Sequence, residues 1–223
     1  MQKNEISLDK VERVLTTSRV VFWDFDGVIK ESNDIKGRGF VDLFVEYGSN
    51  FSSKIMNHHL HNLGMSRYEK IPIYMDWCGL MVTEESIKEY SKKFSSIILE
   101  KVINSPWVPG VKEYIETNRH DQIFILVTAT PYNEIKQILK ILKFDSHFSY
   151  IYGAPFQKSA AISDGLLKTN HKSQEAVMVG DGFTDLQAAH ICGINFLLRA
   201  HHANINLQKE FSESSFENLK FII

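Results

Sequence analysis

The chain has 223 residues, of which 43% are hydrophobic and 23% are charged, a composition typical of a globular protein with one large domain or a core with a small insert. The formal net charge of −2 argues against a nucleic-acid partner or an anionic membrane surface. No apolar run approaches the roughly 20 residues of a membrane span, and the first residues lack the apolar core of a signal peptide. Cys78 and Cys192 match no metal or redox spacing. We therefore expect a cytoplasmic protein with reduced cysteines.

The first predicted elements are a helix, a strand and a long helical segment. An amphipathic pattern predicts a helix over residues 7–15, with Ser7 as its N-cap. The apolar run Val20–Trp23 predicts a buried parallel strand. Over residues 32–105 apolar side chains recur at helical spacing without a strand pattern, so this segment is predicted to be all helical.

From residue 106 the pattern alternates between strands and helices. Strands are predicted at residues 122–127, 148–152, 176–179 and 193–199, and helices at residues 110–118, 132–142, 156–169 and 185–192. Such alternation is typical of parallel strands joined by right-handed crossovers. The predicted fold class is α/β with a doubly wound parallel sheet, and residues 203–223 are expected to add a short helix and a closing strand or loop.

Two carboxylates follow the first strand directly. Asp24 and Asp26 stand two residues apart, and Gly27 then allows a sharp turn. Active sites of open α/β sheets lie at the carboxyl ends of the strands. With this spacing, one carboxylate can act as a nucleophile and Mg²⁺ ligand while the other transfers protons. Taken alone, the motif is equally typical of an ordinary turn.

The second, third and fourth strands also end in functional side chains. Thr128 follows the second strand directly, with Thr130 as the alternative hydroxyl. Lys158 comes after the third strand, and Asp181 and Asp185 follow the fourth. Because the carboxyl ends of parallel strands meet at one edge of a sheet, we expect these side chains to converge.

This order and spacing of motifs resemble the haloacid dehalogenase-like hydrolase superfamily, whose commonest members are Mg²⁺-dependent phosphatases. The match extends from Arg19 to Arg199, and the turn at residues 109–111 before a helix adds to the likeness. The resemblance implies a Rossmann-like core formed by residues 1–31 and 106–223, with a helical cap at residues 32–105. Caps of this kind close over the phosphate site and decide specificity.

The resemblance also implies a role for each motif residue. Asp24 would be the nucleophile that forms an aspartyl-phosphate, and Asp26 the general acid and then base, which requires surroundings that raise its pKa. Mg²⁺ would bind Asp24, the backbone carbonyl of Asp26, and Asp181, with Asp185 as an additional ligand or as support for one. The phosphoryl group would be bound by Gly27, Thr128, Ala129 and Lys158.

Residues 58–70 are polar and rich in histidine, and they loosely resemble the caps of hydrolases linked to bacterial surface-sugar pathways. Arg67 and Lys70 are one helical turn apart and can face the same anion. We expect these two residues, with His58 or His59, to contact the part of the substrate that is not transferred. The alternative is a solvated helix face.

The sequence therefore predicts a Mg²⁺-dependent phosphatase that acts on a small phosphorylated metabolite, in particular a sugar phosphate. A phosphosugar mutase on the same scaffold is one alternative. A receiver-type or non-catalytic phospho-signalling domain is another, although such a domain is shorter, has no helical insert before its hydroxyl and lacks the second pair of aspartates. The presence of Asp26 disfavours a dehalogenase, which needs no proton donor at that position.

Overall fold

The computed structural model describes residues 2–222, and side chains from residue 8 onward. Six strands of this part form one parallel sheet in the order β3-β2-β1-β4-β5-β6. The strands are β1 (Val20–Trp23), β2 (Ile123–Pro131), β3 (Tyr150–Ala154), β4 (Ala176–Gly180), β5 (Asn195–Arg199) and β6 (Ser215–Phe216). Because β1 lies between β2 and β4, the strand order reverses there, and the predicted doubly wound sheet is confirmed.

Helices cover both faces of the sheet and fill the long segment after β1. They are α1 (Gln2–Thr17), α2 (Asn33–Leu43), α3 (Asn50–His61), α4 (Arg67–Trp77), α5 (Glu84–Ile103), α6 (Val111–Asn118), α7 (Tyr132–Ile141), α8 (Lys158–Thr169), α9 (Phe183–Cys192) and α10 (Ile205–Glu210). Helices α2–α5, here called the helical insert, confirm the helical prediction for this segment. Within residues 2–222, none of the helices combines the length and apolar character needed to cross a membrane.

Both faces of the sheet are buried, and one of them shares its core with the helical insert. Val20 and Phe22 of β1 pack with side chains of α8 and α9. Trp23 points to the other face, where the apolar cluster continues into the insert. There Phe40 of α2 stacks on Phe94 of α5 with their ring centroids 4.0 Å apart. Burial of apolar surface therefore ties the insert to the sheet.

Two helices begin earlier in the chain than predicted. α1 begins at Gln2, so Ser7 lies inside the helix and is not its N-cap. α9 begins at Phe183, two residues earlier than predicted, because the backbone N–H of Gly182 donates a hydrogen bond to the Asp185 carboxylate in the first turn.

The neighbouring strands β2 and β3 extend further toward their carboxyl ends than predicted. β2 continues to Pro131, which pairs with Ala154 of β3 beyond an irregularity in the register. Thr128 is consequently part of β2 rather than a residue after it. β3 has the predicted length but lies two residues later in the chain, and the next helix also begins two residues later than predicted, so Lys158 is the first residue of α8.

Candidate active site

Asp24 lies at the carboxyl edge of the sheet and has only 3% of its surface exposed. Its backbone N–H donates to the Val179 carbonyl at 3.0 Å, which continues the pairing of β1 with β4. Its Oδ1 accepts a hydrogen bond from the backbone N–H of Phe25 at 2.6 Å, and Oδ2 accepts one from Lys158 Nζ at 2.7 Å. One carboxylate is therefore held in a fixed orientation at the position predicted for the nucleophile.

Asp24, Asp181 and Asp185 form a cluster of buried carboxylates that each offer an oxygen within 4.8 Å of the others. Lys158 Nζ lies 2.7 Å from Asp24 and 2.5 Å from Asp185. Burial raises the pKa of Asp24 and raises the pKa of Asp185 to about 7, although Lys158 opposes both shifts. Burial alone would lower the pKa of Lys158, but Asp185 and Asp24 raise it above its ordinary value.

The carboxylate cluster fits a divalent cation of the Mg²⁺ type. Three carboxylates and one ammonium leave excess negative charge in a buried space, and carboxylate oxygens are ligands that Mg²⁺ prefers. The side chain of Asp26 lies outside the cluster, so only its backbone carbonyl remains as a candidate ligand. Asp24, Asp181 and Asp185 are the side chains that would hold the metal.

Three residues that sequence analysis missed hold Asp181. Asn33 Nδ2 and His201 Nε2 donate to Asp181 Oδ2 at 2.6 and 2.8 Å, and Asn204 Nδ2 donates to the Asp181 carbonyl at 2.9 Å. His201 Nδ1 accepts the backbone N–H of Ala203 at 3.2 Å, so Nε2 carries the ring proton. His201 and Asn204 follow β5, so the same strand-end signal could have found them.

Asp26 is surrounded by hydrogen-bond donors. Its Oδ2 forms an ion pair with Lys36 and accepts a hydrogen bond from Thr130 Oγ1 at 3.0 Å, and its Oδ1 accepts one from Ser32 Oγ at 2.6 Å. Burial raises the pKa of Asp26, but the ammonium of Lys36, together with the hydroxyl donors, outweighs burial and lowers the pKa overall. The expectation of surroundings that raise this pKa is therefore wrong for this conformation.

The two candidate hydroxyls have different positions. Thr128 and Ala129 line the cavity that contains Asp24. Thr130 is absent from that lining, because its hydroxyl lies between Asp26 and Lys36. The geometry therefore favours Thr128 as the hydroxyl that faces a phosphoryl group.

Gly27 is required where the chain turns between the first strand and the insert. It has a φ of +74°, and a Cβ at this position would lie 2.1 Å from both Asn33 Nδ2 and Asp181 Oδ2. Any larger residue would therefore disturb the support of Asp181.

The helical insert and the sheet edge enclose a cavity of about 40 Å³. Arg67, Lys70 and His59 line this cavity together with Asp24. His58 is outside the lining, and its Nδ1 instead meets the hydroxyl of Tyr74 at 3.0 Å. Arg67 and Lys70 have exposed fractions of only 4% and 1%, so the alternative of a solvated helix face is wrong.

Arg67 forms a buried ion pair with Glu134 of α7. Its Nη1 and Nη2 donate to the two carboxylate oxygens of Glu134 at 2.8 and 2.5 Å, and Nη1 also donates to Ser95 Oγ at 2.6 Å. The guanidinium lies over the Phe94 ring at 4.6 Å. This bidentate pair connects the insert to a helix that follows β2, and Glu134 was not apparent from the sequence.

The loop between α3 and α4 packs directly against Lys158 and the segment that follows β4. Gly64 has a φ of +82°, and a Cβ on it would lie 1.9 Å from Thr184 Oγ1 and 3.5 Å from Lys158 Nζ. A Cβ on Gly182 would lie 2.6 Å from the Leu63 carbonyl. The backbone of the insert thus reaches van der Waals contact with the Asp181–Asp185 segment, which shields the carboxylate cluster from water.

The sheet and its strand-end residues define a parallel α/β enzyme with an acidic, lysine-containing centre. The family model described as haloacid dehalogenase-like hydrolase matches residues 21–198. Because this match covers most of the chain, the protein belongs to that family, and the resemblance inferred from the motifs is confirmed. A search of curated proteins found no significant match.

Solved structures share the fold at low sequence identity. One is a haloacid dehalogenase-like family protein from Streptococcus pneumoniae (TM-score 0.63, 18% identity, 86% of this chain and 92% of that chain). Another is described as a predicted phosphoglycolate phosphatase from Haemophilus somnus (TM-score 0.73, 20% identity, 93% of this chain and 97% of that chain). A third is CbbY from Rhodobacter sphaeroides in complex with xylulose-(1,5)bisphosphate (TM-score 0.74, 12% identity, 91% of this chain and 95% of that chain).

Proposed function

We propose that the protein is a Mg²⁺-dependent phosphatase that hydrolyses a small phosphorylated metabolite of the sugar-phosphate class through an aspartyl-phosphate on Asp24. The observation that carries the proposal is the buried Asp24 carboxylate, which contacts Lys158, belongs to the carboxylate cluster and shares a cavity with Thr128. Residues 32–105 would act as the cap, and residues 1–31 and 106–223 as the core.

In the first step an Asp24 oxygen forms a bond to phosphorus while the bond from phosphorus to the leaving oxygen breaks. Asp26 gives its proton to that leaving oxygen. Lys158 and Thr128 bind the phosphoryl oxygens, and a bound Mg²⁺ supplies positive charge that offsets the negative charge of carboxylate and phosphate. In the second step Asp26 takes a proton from water, whose oxygen binds phosphorus and displaces Asp24.

The contacts of Asp26 suit the second of these steps. Lys36 favours the ionised form of Asp26, which is the form that accepts a proton from water. The first step needs the protonated form, so the Lys36 contact must weaken when substrate binds. Lys36 is therefore a candidate for controlling whether Asp26 acts as the general acid or as the general base.

The polarity of the cavity lining supports a polar, anionic substrate. The polar residues that the insert contributes to its lining are Asn33, Lys36, His59, Arg67 and Lys70. The names of two structural neighbours, which mention phosphoglycolate and xylulose-(1,5)bisphosphate, agree with this class of substrate.

The proposal is tested by measuring phosphate release from a panel of phosphorylated metabolites with Mg²⁺ and with excess chelator. We expect release from a subset of small sugar phosphates or phosphorylated acids, and none after chelation until Mg²⁺ is restored. Activity at full rate in chelator, or no release from any compound, would contradict the proposal. A mutase would instead convert one phosphosugar into its isomer without releasing phosphate.

A further inference from the structure

Lys70 is a buried cation without a counter-ion. Its exposed fraction is 1%, and its only hydrogen bond within the described side chains joins Nζ to His59 Nδ1 at 3.1 Å. The other two cations from the insert that line the cavity are both paired, Lys36 with Asp26 and Arg67 with Glu134. No described carboxylate forms an ion pair with Lys70.

Burying an ammonium without an anion is costly, because the charge loses its hydration and gains no equivalent partner. Burial, reinforced by the nearby charge of Lys36, lowers the pKa of Lys70 to about 7. Asp181, Asp26 and Glu69 act in the opposite direction. An anion that entered the cavity would remove this cost and keep Lys70 charged.

His59 holds the Lys70 ammonium in place and leaves its remaining N–H groups free. His59 Nε2 lies 3.0 Å from the Asn33 carbonyl, which can only accept a hydrogen bond. The ring proton is therefore on Nε2, and Nδ1 is the acceptor that faces Lys70. An ammonium has three N–H donors, and His59 uses one of them.

We propose that the substrate carries a second anionic group, a carboxylate or a second phosphate, which binds to Lys70 while the transferred phosphoryl group lies at Asp24. This inference rests on the proposed function and narrows its substrate class. Both residues line the same small cavity, so the two anions are separated by a linker of only a few atoms. Arg67 does not share this role, because Glu134 and Ser95 already occupy its guanidinium.

The test measures binding of non-hydrolysable phosphonates by calorimetry in the presence of Mg²⁺. 3-Phosphonopropanoate and propane-1,3-diphosphonate carry a second anion, and propylphosphonate lacks it. We expect one of the two doubly anionic compounds to bind about 10- to 100-fold more tightly than propylphosphonate, the range of a charge-assisted hydrogen bond. The tighter of the two identifies the second group as carboxylate or phosphate.

Lys70→Gln should abolish this preference while it keeps a donor for His59. The matched control is Lys54→Gln, which removes an exposed lysine of α3 that lies over Trp77, outside the cavity, and this variant should keep the full preference. Equal affinity for all three phosphonates, no binding of any of them, or a preference that survives in Lys70→Gln would overturn the inference.

Stability provides a second measurement that does not depend on ligand. Lys70→Met should raise the melting temperature of the free protein, because it removes an unpaired buried charge. A lowered melting temperature would mean that Lys70 is a structural residue and would overturn the inference. Phosphate release, measured separately, tests the proposed function, so a protein that binds the doubly anionic phosphonates but releases no phosphate would refute only that function.

Discussion

At the scale of single residues, Asp24 has the most specific predicted role. Asp24→Asn keeps the side-chain shape but removes the attacking charge, so phosphate release should fall at least about 1000-fold, as for other nucleophile replacements. Asp145→Asn, at an exposed position, is the control and should keep wild-type activity. Circular dichroism checks that both variants fold. Activity near the wild-type level in Asp24→Asn would show that another group attacks phosphorus.

Lys36 should set the pH range in which Asp26 acts as a base. Burial raises and Lys36 lowers the pKa of Asp26, with a net shift downward, so the ionised base persists to lower pH. Lys36→Met should therefore move the acid limb of the kcat profile to higher pH. p-Nitrophenyl phosphate is the suitable substrate, because its leaving group needs no proton.

The control for this experiment is Lys54→Met, which should leave the profile unchanged. If the acid limb of the Lys36→Met profile stayed at the wild-type pH, Lys36 would not control the protonation of Asp26.

At the scale of elements, the Arg67–Glu134 pair joins α4 to α7. Arg67→Met leaves the Glu134 carboxylate buried without its counter-ion, and breaking such a pair costs about 3–5 kcal/mol. The double variant Arg67→Met/Glu134→Gln should recover much of that loss. Lys93→Met, which breaks the exposed pair with Glu89 on α5, should destabilise the protein far less, because solvent screens exposed pairs.

Chemical denaturation of these variants measures the free energy of unfolding. If Arg67→Met were no more destabilising than Lys93→Met, the buried pair would not stabilise the contact between insert and sheet.

The candidate site residues that could be predicted are those that come at or shortly after the carboxyl ends of strands. Asp24, Lys158 and Asp181 come after apolar runs, and parallel pairing places such ends together. Asn33 and Lys36 could not be found in this way, because they are on the first helix of the insert and reach the site only through its tertiary packing. The pairing of Arg67 with Glu134 depends on how α4 lies over α7, which no local pattern records.

At the scale of the whole molecule, the buried carboxylate cluster should make stability depend on the metal. Mg²⁺ at about 100 times its dissociation constant should stabilise the fold by about 2.7 kcal/mol, or about 5–10 °C in melting temperature for a chain of this size. Chelator should reverse the shift. Asp181→Asn should lose it and Asp145→Asn should keep it, whereas an equal shift in both variants would place the metal elsewhere.

The sequence predicts the parallel sheet better than it predicts the contact between the helical insert and the sheet edge. Alternating apolar runs are enough to indicate a parallel sheet, because strands buried on both faces need continuous hydrophobic sequence. The contact of Gly64 and Leu63 with the segment after β4 depends instead on backbone geometry in a loop, where glycine permits an approach that the sequence pattern does not reveal.

Lys70 is linked to Asp181 through two residues: His59 joins Lys70 Nζ to the backbone carbonyl of Asn33, and the Asn33 side chain donates to Asp181. If an anion at Lys70 tightens these contacts, the metal and that anion should each increase the affinity of the other by the same factor, because binding linkage is reciprocal. We expect 3-phosphonopropanoate or propane-1,3-diphosphonate to lower the Mg²⁺ dissociation constant, and Asn33→Ala to bring the two binding events close to independence. Calorimetric titration in both orders measures the factor, and an unchanged factor in Asn33→Ala would exclude this route. The enzyme would then hold its metal most firmly when the correct substrate is present.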